Sequence, residues 1–285
     1  MKKKILCVAG AILTAAAIAA LTAGLVFDRG GYIGLVEIEG TLVKPDRTVE
    51  WIDRLAEDGR VKVILVKVNS PGGGVVAADE IYRALLRAHQ EHKKPVVVYM
   101  GAVAASGGYY LSCAADSIIA SPGTITGSIG VIMTLPVIEG TLKKIGAEVE
   151  VVKSEEHKDI TSPFRKRTEA EMALLDTAVQ DIYGQFVDVV VAGRNLPREK
   201  VLAVADGRIL TGRQAAELGL VDRTGSYHDA VETAKKMGGL KEAKLMKKTK
   251  KPSLLRLVMY GDDGEEDVLG DLKGLLSPAI EYRWQ

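Results

Sequence analysis

The chain has 285 residues, of which 47% are hydrophobic and 26% are charged, a balance typical of a folded globular protein and unlike that of a disordered chain or a membrane bundle. Its formal net charge of +1 provides no overall positive field, so the composition argues against nucleic acid as a partner. Two cysteines, Cys7 and Cys113, cannot build a disulfide framework.

The N-terminal segment has the composition of a membrane anchor. Three lysines at residues 2–4 precede residues 5–27, which carry no charge. About 20 apolar residues in a helix are enough to cross a bilayer core, and the lysines predict a cytoplasmic N-terminus. A cleaved signal peptide is the alternative, but its apolar region usually spans only about 7 to 15 residues and ends in a polar cleavage site. We therefore expect residues 1–28 to be an anchor and the rest to be extracytoplasmic, at the cell membrane.

Beyond the anchor, short apolar runs rich in β-branched residues alternate with helical patterns. Continuous apolar runs are typical of parallel strands covered on both faces, and the alternation predicts an α/β fold with a parallel-sheet core. We expect one domain over residues 29–247 and a C-terminal tail over residues 248–285. Strands are predicted at residues 33–43, 61–68, 95–100, 117–120, 128–133 and 147–152, and helices at 48–56, 75–91, 106–115, 136–145, 168–192, around Arg198, around Gln214, and at 227–236.

Three glycine-containing loops follow predicted strands, at residues 69–74, 104–109 and 121–128. Because ligands bind at the carboxyl ends of the strands in an open parallel sheet, we expect these loops to converge. None of them ends in the Lys-Ser/Thr of a phosphate-binding loop, and none has the G-x-G-x-x-G spacing of a dinucleotide site. The loops therefore do not favour a nucleotide as ligand.

The second loop places Ser106 at a strand-to-helix turn between small residues. A serine in that position can be a nucleophile, with the small neighbours allowing a substrate backbone to approach closely. Serine is equally a favoured residue for capping a helix N-terminus. The loop alone does not separate these two interpretations.

A nucleophilic serine needs a base, and the chain offers few. The four histidines, His89, His92, His157 and His228, are not followed by an orienting carboxylate in a recognisable arrangement, although a triad is defined by geometry rather than by order. A lysine can act only if burial or a nearby positive charge lowers its pKa. Lys158, in the polar loop 153–163, is the candidate, although composition alone indicates a solvated surface lysine.

Four stretches of the chain carry a family resemblance. In order and spacing, residues 69–74, 100–110, 122–131 and 157–163 resemble the motifs of the signal peptide peptidase A (SppA) family in its short single-domain form. That family consists of membrane-anchored serine peptidases with a ClpP/crotonase-like fold. The resemblance covers most of residues 33–225.

The resemblance implies roles for five residues. Ser106 would be the nucleophile and Lys158 its general base, while Ser128 would hold the lysine amine by a hydrogen bond. The backbone N–H groups of Gly73 and Gly107 would form the oxyanion hole. The resemblance implies no metal and no cofactor.

The resemblance also implies an assembly. Such chains form ring-shaped homo-oligomers, and Lys158 would act on the Ser106 of a neighbouring protomer, which would bury the amine. One departure concerns Glu155, which stands where the family commonly has glycine. A carboxylate near Lys158 would raise the pKa of its amine and oppose its role as a base, so we expect Glu155 to point to solvent.

The expected function is degradation of released signal peptides by a membrane-anchored serine endopeptidase, with unfolded or mislocalised proteins as further substrates. Substrates would bind as extended apolar peptides. Two alternatives share features with this interpretation: a crotonase-type enzyme acting on acyl-coenzyme A, and a catalytically inactive membrane scaffold. The apolar end of the tail, residues 279–284, packs in or near the substrate groove in one interpretation and is a loosely ordered terminus in the other.

Overall fold

The computed structural model describes residues 30–248 and the backbone of Ala279–Arg283. The predicted anchor at residues 1–28 and most of the predicted tail lie outside the described residues, so the domain boundaries stay predictions. Among the helices of the described part, none is both long and apolar enough to cross a membrane.

The centre of the fold is a parallel-rich sheet. Its main path runs in the order β10-β1-β2-β4-β5-β9 with every pair parallel, and β6 extends the parallel pairing of β4 while β8 pairs antiparallel with β6. The predicted α/β class is confirmed. The strands are β1 (Tyr32–Glu39), β2 (Val61–Ser70), β3 (Gly72–Gly74), β4 (Val96–Ala105), β5 (Ser117–Ala120), β6 (Ile125–Gly127), β7 (Ile132–Thr134), β8 (Ile209–Thr211), β9 (Arg223–Thr224), β10 (Leu245–Met246) and β11 (Ala279–Arg283).

Helices cover both faces of this sheet. The larger apolar cluster joins one face of the central strands to α1, α2, α3 and the C-terminal half of α5, and a smaller cluster joins the other face to α8. Burial on both faces explains why the middle of β2, residues 63–66, and the start of β4, residues 96–98, are unbroken apolar runs in the sequence. The helices are α1 (Asp46–Glu57), α2 (Val75–Gln90), α3 (Gly107–Ser112), α4 (Glu139–Lys144), a 3-10 helix (Glu156–Asp159), α5 (Glu169–Arg194), α6 (Arg198–Leu202), α7 (Gly212–Glu217) and α8 (Tyr227–Met237).

Two predicted strands are wrong. The predicted strand 128–133 is split, because Ser128 adopts φ +50 and ends β6 at Gly127, and the chain pairs again only from Ile132. The predicted strand 147–152 is not a strand at all. Its alternating valines are exposed, with Val152 fully so, and no described strand lies beside them to complete a sheet.

A second, smaller sheet lies at the edge of the core. It is antiparallel and has the order β3-β11-β7, so that β11 is its middle strand. The backbone of residues 279–283 pairs on both sides, with β3 and with β7. This small sheet brings the last described segment next to the first glycine loop.

Candidate active site

Ser106 occupies a strained turn between β4 and α3. Its backbone has φ +55 and ψ −118, a conformation that side-chain-bearing residues rarely adopt. The turn is held on both sides, since the Ser106 N–H donates to the Gly127 carbonyl at 2.9 Å and the Ser106 carbonyl accepts from the Tyr110 N–H at 2.8 Å. Gly108 permits the tight packing, because a Cβ there would lie 2.8 Å from the Ser70 carbonyl oxygen.

The Ser106 hydroxyl is buried and unused. The residue is 0% exposed, and its Oγ has no hydrogen-bond partner among the described residues. It makes no capping bond to α3, so the capping interpretation of this serine is wrong. A buried hydroxyl without a partner is rare in proteins and, on a strained backbone, is typical of a functional site.

The three glycine loops converge at this serine, as predicted. The third loop supplies the Gly127 carbonyl that binds the Ser106 N–H. The first loop lies against α3, because a Cβ on Gly107 would lie 3.3 Å from the Cα of Gly72. The carboxyl ends of β2, β4 and β6 therefore meet around one hydroxyl.

Gly73 and Gly107 both present backbone N–H groups near Ser106. Leu42 lies along one edge of β3. Its N–H donates to the Gly72 carbonyl and its carbonyl accepts from the Gly74 N–H, each at 2.8 Å. Since successive peptide groups of a strand point to opposite edges, the Gly73 N–H and carbonyl face the other edge. Gly73 has φ +148, and a Cβ there would overlap the Leu42 backbone. Gly107 begins α3, so its N–H has no acceptor within the helix.

The last strand lies on that free edge of β3. In the antiparallel register, Tyr282 is opposite Gly73, and Ile280 is opposite Met133 on β7. Because the Gly73 peptide groups point toward β11, we infer that Gly73 and Tyr282 form a hydrogen-bonded pair. The space between β3 and β7 is thus one extended strand wide, and it includes the predicted oxyanion-hole donor.

Ser128 lies beside Ser106. Ala105 on β4 pairs with Gly127 on β6, so the two serines are the residues that follow a paired position on neighbouring parallel strands. Ser128 is 7% exposed and lines an open cavity of about 590 Å³. Ile132, Tyr183, Asp206 and Gly207 are among the other residues that line it.

Lys158 does not reach the serine within one chain. It lies in the 3-10 helix with an exposed side chain, whereas Ser106 is buried and its hydroxyl has no partner. Glu155 is exposed, as we expected. The chain therefore brings together Ser106, Ser128 and the two glycines and leaves Lys158 apart from them.

The histidines are also placed away from the serine hydroxyl. His89 Nδ1 lies 3.0 Å from an Asp116 carboxylate oxygen, next to the amino end of β5, whereas Ser106 follows the carboxyl end of β4. No described histidine forms a hydrogen bond with the Ser106 hydroxyl. In the described part of the chain, no group of three or more His, Cys, Asp or Glu side chains could hold a metal ion.

One charged cluster near Lys158 was missed by sequence reasoning. Arg165 donates to Asp159 through Nε and Nη2, each at 2.8 Å, and to Glu171 through Nη1 at 2.8 Å, while Lys153 donates to Asp159 at 2.7 Å. These bonds, first from Arg165 and then from Lys153, hold the pKa of Asp159 well below its usual range. Bonds from Arg165 and the Thr168 N–H lower the pKa of Glu171 to about 2. The only sequence signal is opposite charges six residues apart, a spacing that no regular helix or strand favours.

A strained and buried serine at a strand-to-helix turn, with glycine N–H groups beside it, defines the site as one of serine hydrolase type. Residues 88–241 match the family model of peptidase family S49. The chain is 41% identical to the "Putative protease slr0021" of Synechocystis sp., over 85% of this chain and 88% of that protein. It is 34% identical to the "Protease 4" of Salmonella typhi, over 89% of this chain and 41% of that protein.

The "Putative signal peptide peptidase SppA" of Enterococcus faecium is 40% identical, over 67% of this chain and 56% of that protein. The chain thus spans less than two thirds of the length of Protease 4 and of this relative. The chain belongs to peptidase family S49. The predicted resemblance to SppA-type serine peptidases is confirmed.

Proposed function

We propose that this chain is a membrane-anchored endopeptidase that uses Ser106 as nucleophile and the Lys158 of a neighbouring copy as general base. The observation that carries the proposal is the Ser106 hydroxyl, which is buried on a strained backbone and has no hydrogen-bond partner among the residues that the structure describes. A serine hydroxyl is a weak nucleophile until a base accepts its proton. The proposed ClpP/crotonase-like assembly supplies that base from outside the chain.

In the proposed reaction, the neutral Lys158 amine accepts the Ser106 proton while Oγ attacks the carbonyl carbon of the substrate. The N–H groups of Gly73 and Gly107 stabilise the oxyanion, each by roughly 3 to 4 kcal/mol. The lysine ammonium then protonates the leaving amine, and water hydrolyses the acyl-enzyme by the same route. Ser128 accepts a hydrogen bond from the lysine and orients it. The proposal requires no metal and no cofactor.

The exposed surface of the Lys158 segment supports a ring-shaped homo-oligomer. Residues 137–164 expose seven large apolar side chains, more than a soluble surface usually presents in one segment. Burying them against the cavity beside Ser128 of another copy would bring Lys158 to the serine and remove it from water. Desolvation lowers the pKa of a lysine, which its role as a base requires. The seven side chains are Val137, Ile138, Ile145, Val149, Val151, Val152 and Phe164.

The position of β11 supports extended peptides as substrates. A substrate strand bound between β3 and β7 would form backbone hydrogen bonds on both edges and place a carbonyl at the Gly73 N–H. Released signal peptides, and unfolded or mislocalised proteins on the extracytoplasmic side, offer such strands. We propose these as the substrates.

A fluorophosphonate probe tests the dyad directly. We expect the probe to label Ser106 in the full chain, and Lys158→Ala and Lys158→Arg to lose both labelling and peptidase activity, because a guanidinium stays protonated. Lys236→Ala, an exposed lysine on α8, is the matched control and should label like the parent protein. Equal labelling of the Lys158→Ala variant would exclude Lys158 as the base, and no labelling of the parent would favour an inactive scaffold.

Removing residues 279–285 should improve the binding of short peptides. In this proposal β11 occupies the position between β3 and β7 that a substrate strand would take. If about one tenth of the molecules have this position free, removing β11 frees it in nearly all of them. We therefore expect the KM for an apolar test peptide to fall by about tenfold with kcat unchanged. A synthetic peptide with the sequence of residues 279–283 should then inhibit competitively. The same peptide methylated on the nitrogen of its tyrosine lacks the donor to Gly73 and should not inhibit. An unchanged KM after the deletion would contradict this prediction.

A further inference from the structure

The carboxylate of Asp159, next to the proposed base, is paired with two basic side chains. Asp159 directly follows Lys158, and an unpaired carboxylate there would favour the charged ammonium form of the lysine. Its side chain is only 11% exposed and accepts three hydrogen bonds, two from Arg165 and one from Lys153. The negative charge of Asp159 is therefore already matched within its own chain.

The same guanidinium ties this loop to the longest helix. Arg165 binds Glu171, which lies in the first turn of α5, is 5% exposed, and accepts from the Thr168 N–H in the capping box of that helix. A planar guanidinium can bind two carboxylates at once, which a lysine cannot do with fixed geometry. Arg165 thereby holds the loop to the N-terminus of α5, where a capping box already binds free backbone N–H groups.

A second arginine holds the backbone of the loop. Arg167 donates to the carbonyl oxygens of Ile160 and Ser162, each at 2.9 Å. The Ile138 N–H before α4 also donates to the Pro163 carbonyl at 2.8 Å. These bonds fix the loop but leave the side-chain charge of Asp159 to Arg165 and Lys153.

The charges around the loop are balanced at this point. Lys153 and Arg165 face Asp159 and Glu171, which gives two cations and two carboxylates. The 3-10 helix and its approach add Glu155, Glu156 and His157, all exposed. The helix α4 adds Glu139 and Lys143, and the loop before α5 adds Lys166. The pKa values of Asp159 and Glu171 are both lowered, chiefly by hydrogen bonds from Arg165, so these two carboxylates stay ionised across the pH range in which a lysine base works.

We propose that Arg165 is the positioning residue of the general base, holding the Lys158 loop on α5 and neutralising Asp159 so that the amine can lose its proton. The inference rests on the proposed function, because it assumes that Lys158 is the base. Arg165 forms side-chain hydrogen bonds with Asp159 and Glu171, and none with the Ser106 hydroxyl. It acts through Asp159 and through the geometry of the loop.

Three variants separate the two parts of this role. Arg165→Met removes both the guanidinium geometry and the positive charge. We expect kcat to fall by about 10- to 100-fold. The pH at which kcat reaches half of its maximum as Lys158 loses its proton, the midpoint of the profile, should rise by about one pH unit. Arg165→Lys keeps the positive charge but loses the planar guanidinium that binds two carboxylates, so kcat should fall while the midpoint stays at the parent value. Arg165→Met combined with Asp159→Asn removes the carboxylate that has lost its two bonds from Arg165, so the midpoint should return to the parent value while kcat stays low.

The measurement is the pH dependence of kcat on the full chain, with oligomer size and circular dichroism recorded for each variant. An Arg165→Met protein with the parent midpoint and kcat would overturn the inference, as would a double variant whose midpoint stays raised. If Arg165→Met does not fold, Arg165→Lys and the double variant carry the same test. Loss of the dyad would be seen separately, as fluorophosphonate labelling of Ser106 that does not depend on Lys158.

Discussion

A mixture of Ser106→Ala and Lys158→Ala chains is expected to recover peptidase activity that neither variant has alone. Among the described residues Ser106 is buried without a partner and Lys158 is exposed, and in the proposed mechanism the two groups meet across a boundary between copies. In a ring with head-to-tail contacts and an equal, random mixture of the two variants, half of the chains carry Ser106 and the other half carry Lys158. About one quarter of the boundaries then carry an intact pair, and activity should reach about one quarter of the parent value.

The two variants should be coexpressed with different affinity tags and purified through both, so that only mixed assemblies are assayed. Coexpression of two chains that both carry Ser106→Ala is the matched control and should stay inactive. No recovery in verified mixed rings would mean that the dyad forms within one chain, and the proposed intersubunit mechanism would be wrong.

Replacing Ser106 should separate stability from activity. Both Ser106→Gly and Ser106→Ala remove the nucleophile, so we expect activity to fall by at least about 10³-fold. At φ +55 and ψ −118 a Cβ costs about 1 to 3 kcal/mol, more than the conformational entropy that glycine loses on folding. The glycine variant should therefore be more stable than the alanine variant by about 1 kcal/mol, the reverse of the usual order.

Ser112 provides the matched control. It is also buried, but it lies in α3 and its hydroxyl donates to the Gly108 carbonyl at 2.7 Å. There, glycine should be less stable than alanine by about 1 kcal/mol, as in other helices. Thermal unfolding of the four variants in the assembled state measures both differences. The same order at the two sites would show that the Ser106 backbone is not strained.

The central layers of the fold were predictable because the strands are buried on both faces. The apolar runs within residues 61–68 and 95–100 became the core of β2 and β4, and the start of α5 was marked by its capping residues. The strand predicted at 147–152 failed for the opposite reason. Its alternating pattern is that of a half-buried strand, but among the described residues its valines are exposed and no strand pairs with them.

The site was predictable only in part. The convergence of three loops follows from parallel topology, whereas the choice between a capping and a free serine depends on a backbone angle that no sequence pattern specifies. The separation of the buried Ser106 from the exposed Lys158 could not be derived from order or spacing, because it depends on how the loop around Lys158 packs in three dimensions. The Arg165 cluster is a tertiary arrangement whose members lie in a loop and a helix.

In the proposed peptidase, the narrow gap between β3 and β7 would determine which polypeptides can reach Ser106. It is filled by the backbone of a single strand that pairs on both edges, so a chain must give up its own helices or sheets before it fits. A native protein in the same compartment offers no such free stretch and would be spared. Discrimination between folded proteins and unfolded or released segments would then depend on whether an extended, unpaired backbone can pair with β3 and β7. Side chains would affect only the rate of cleavage.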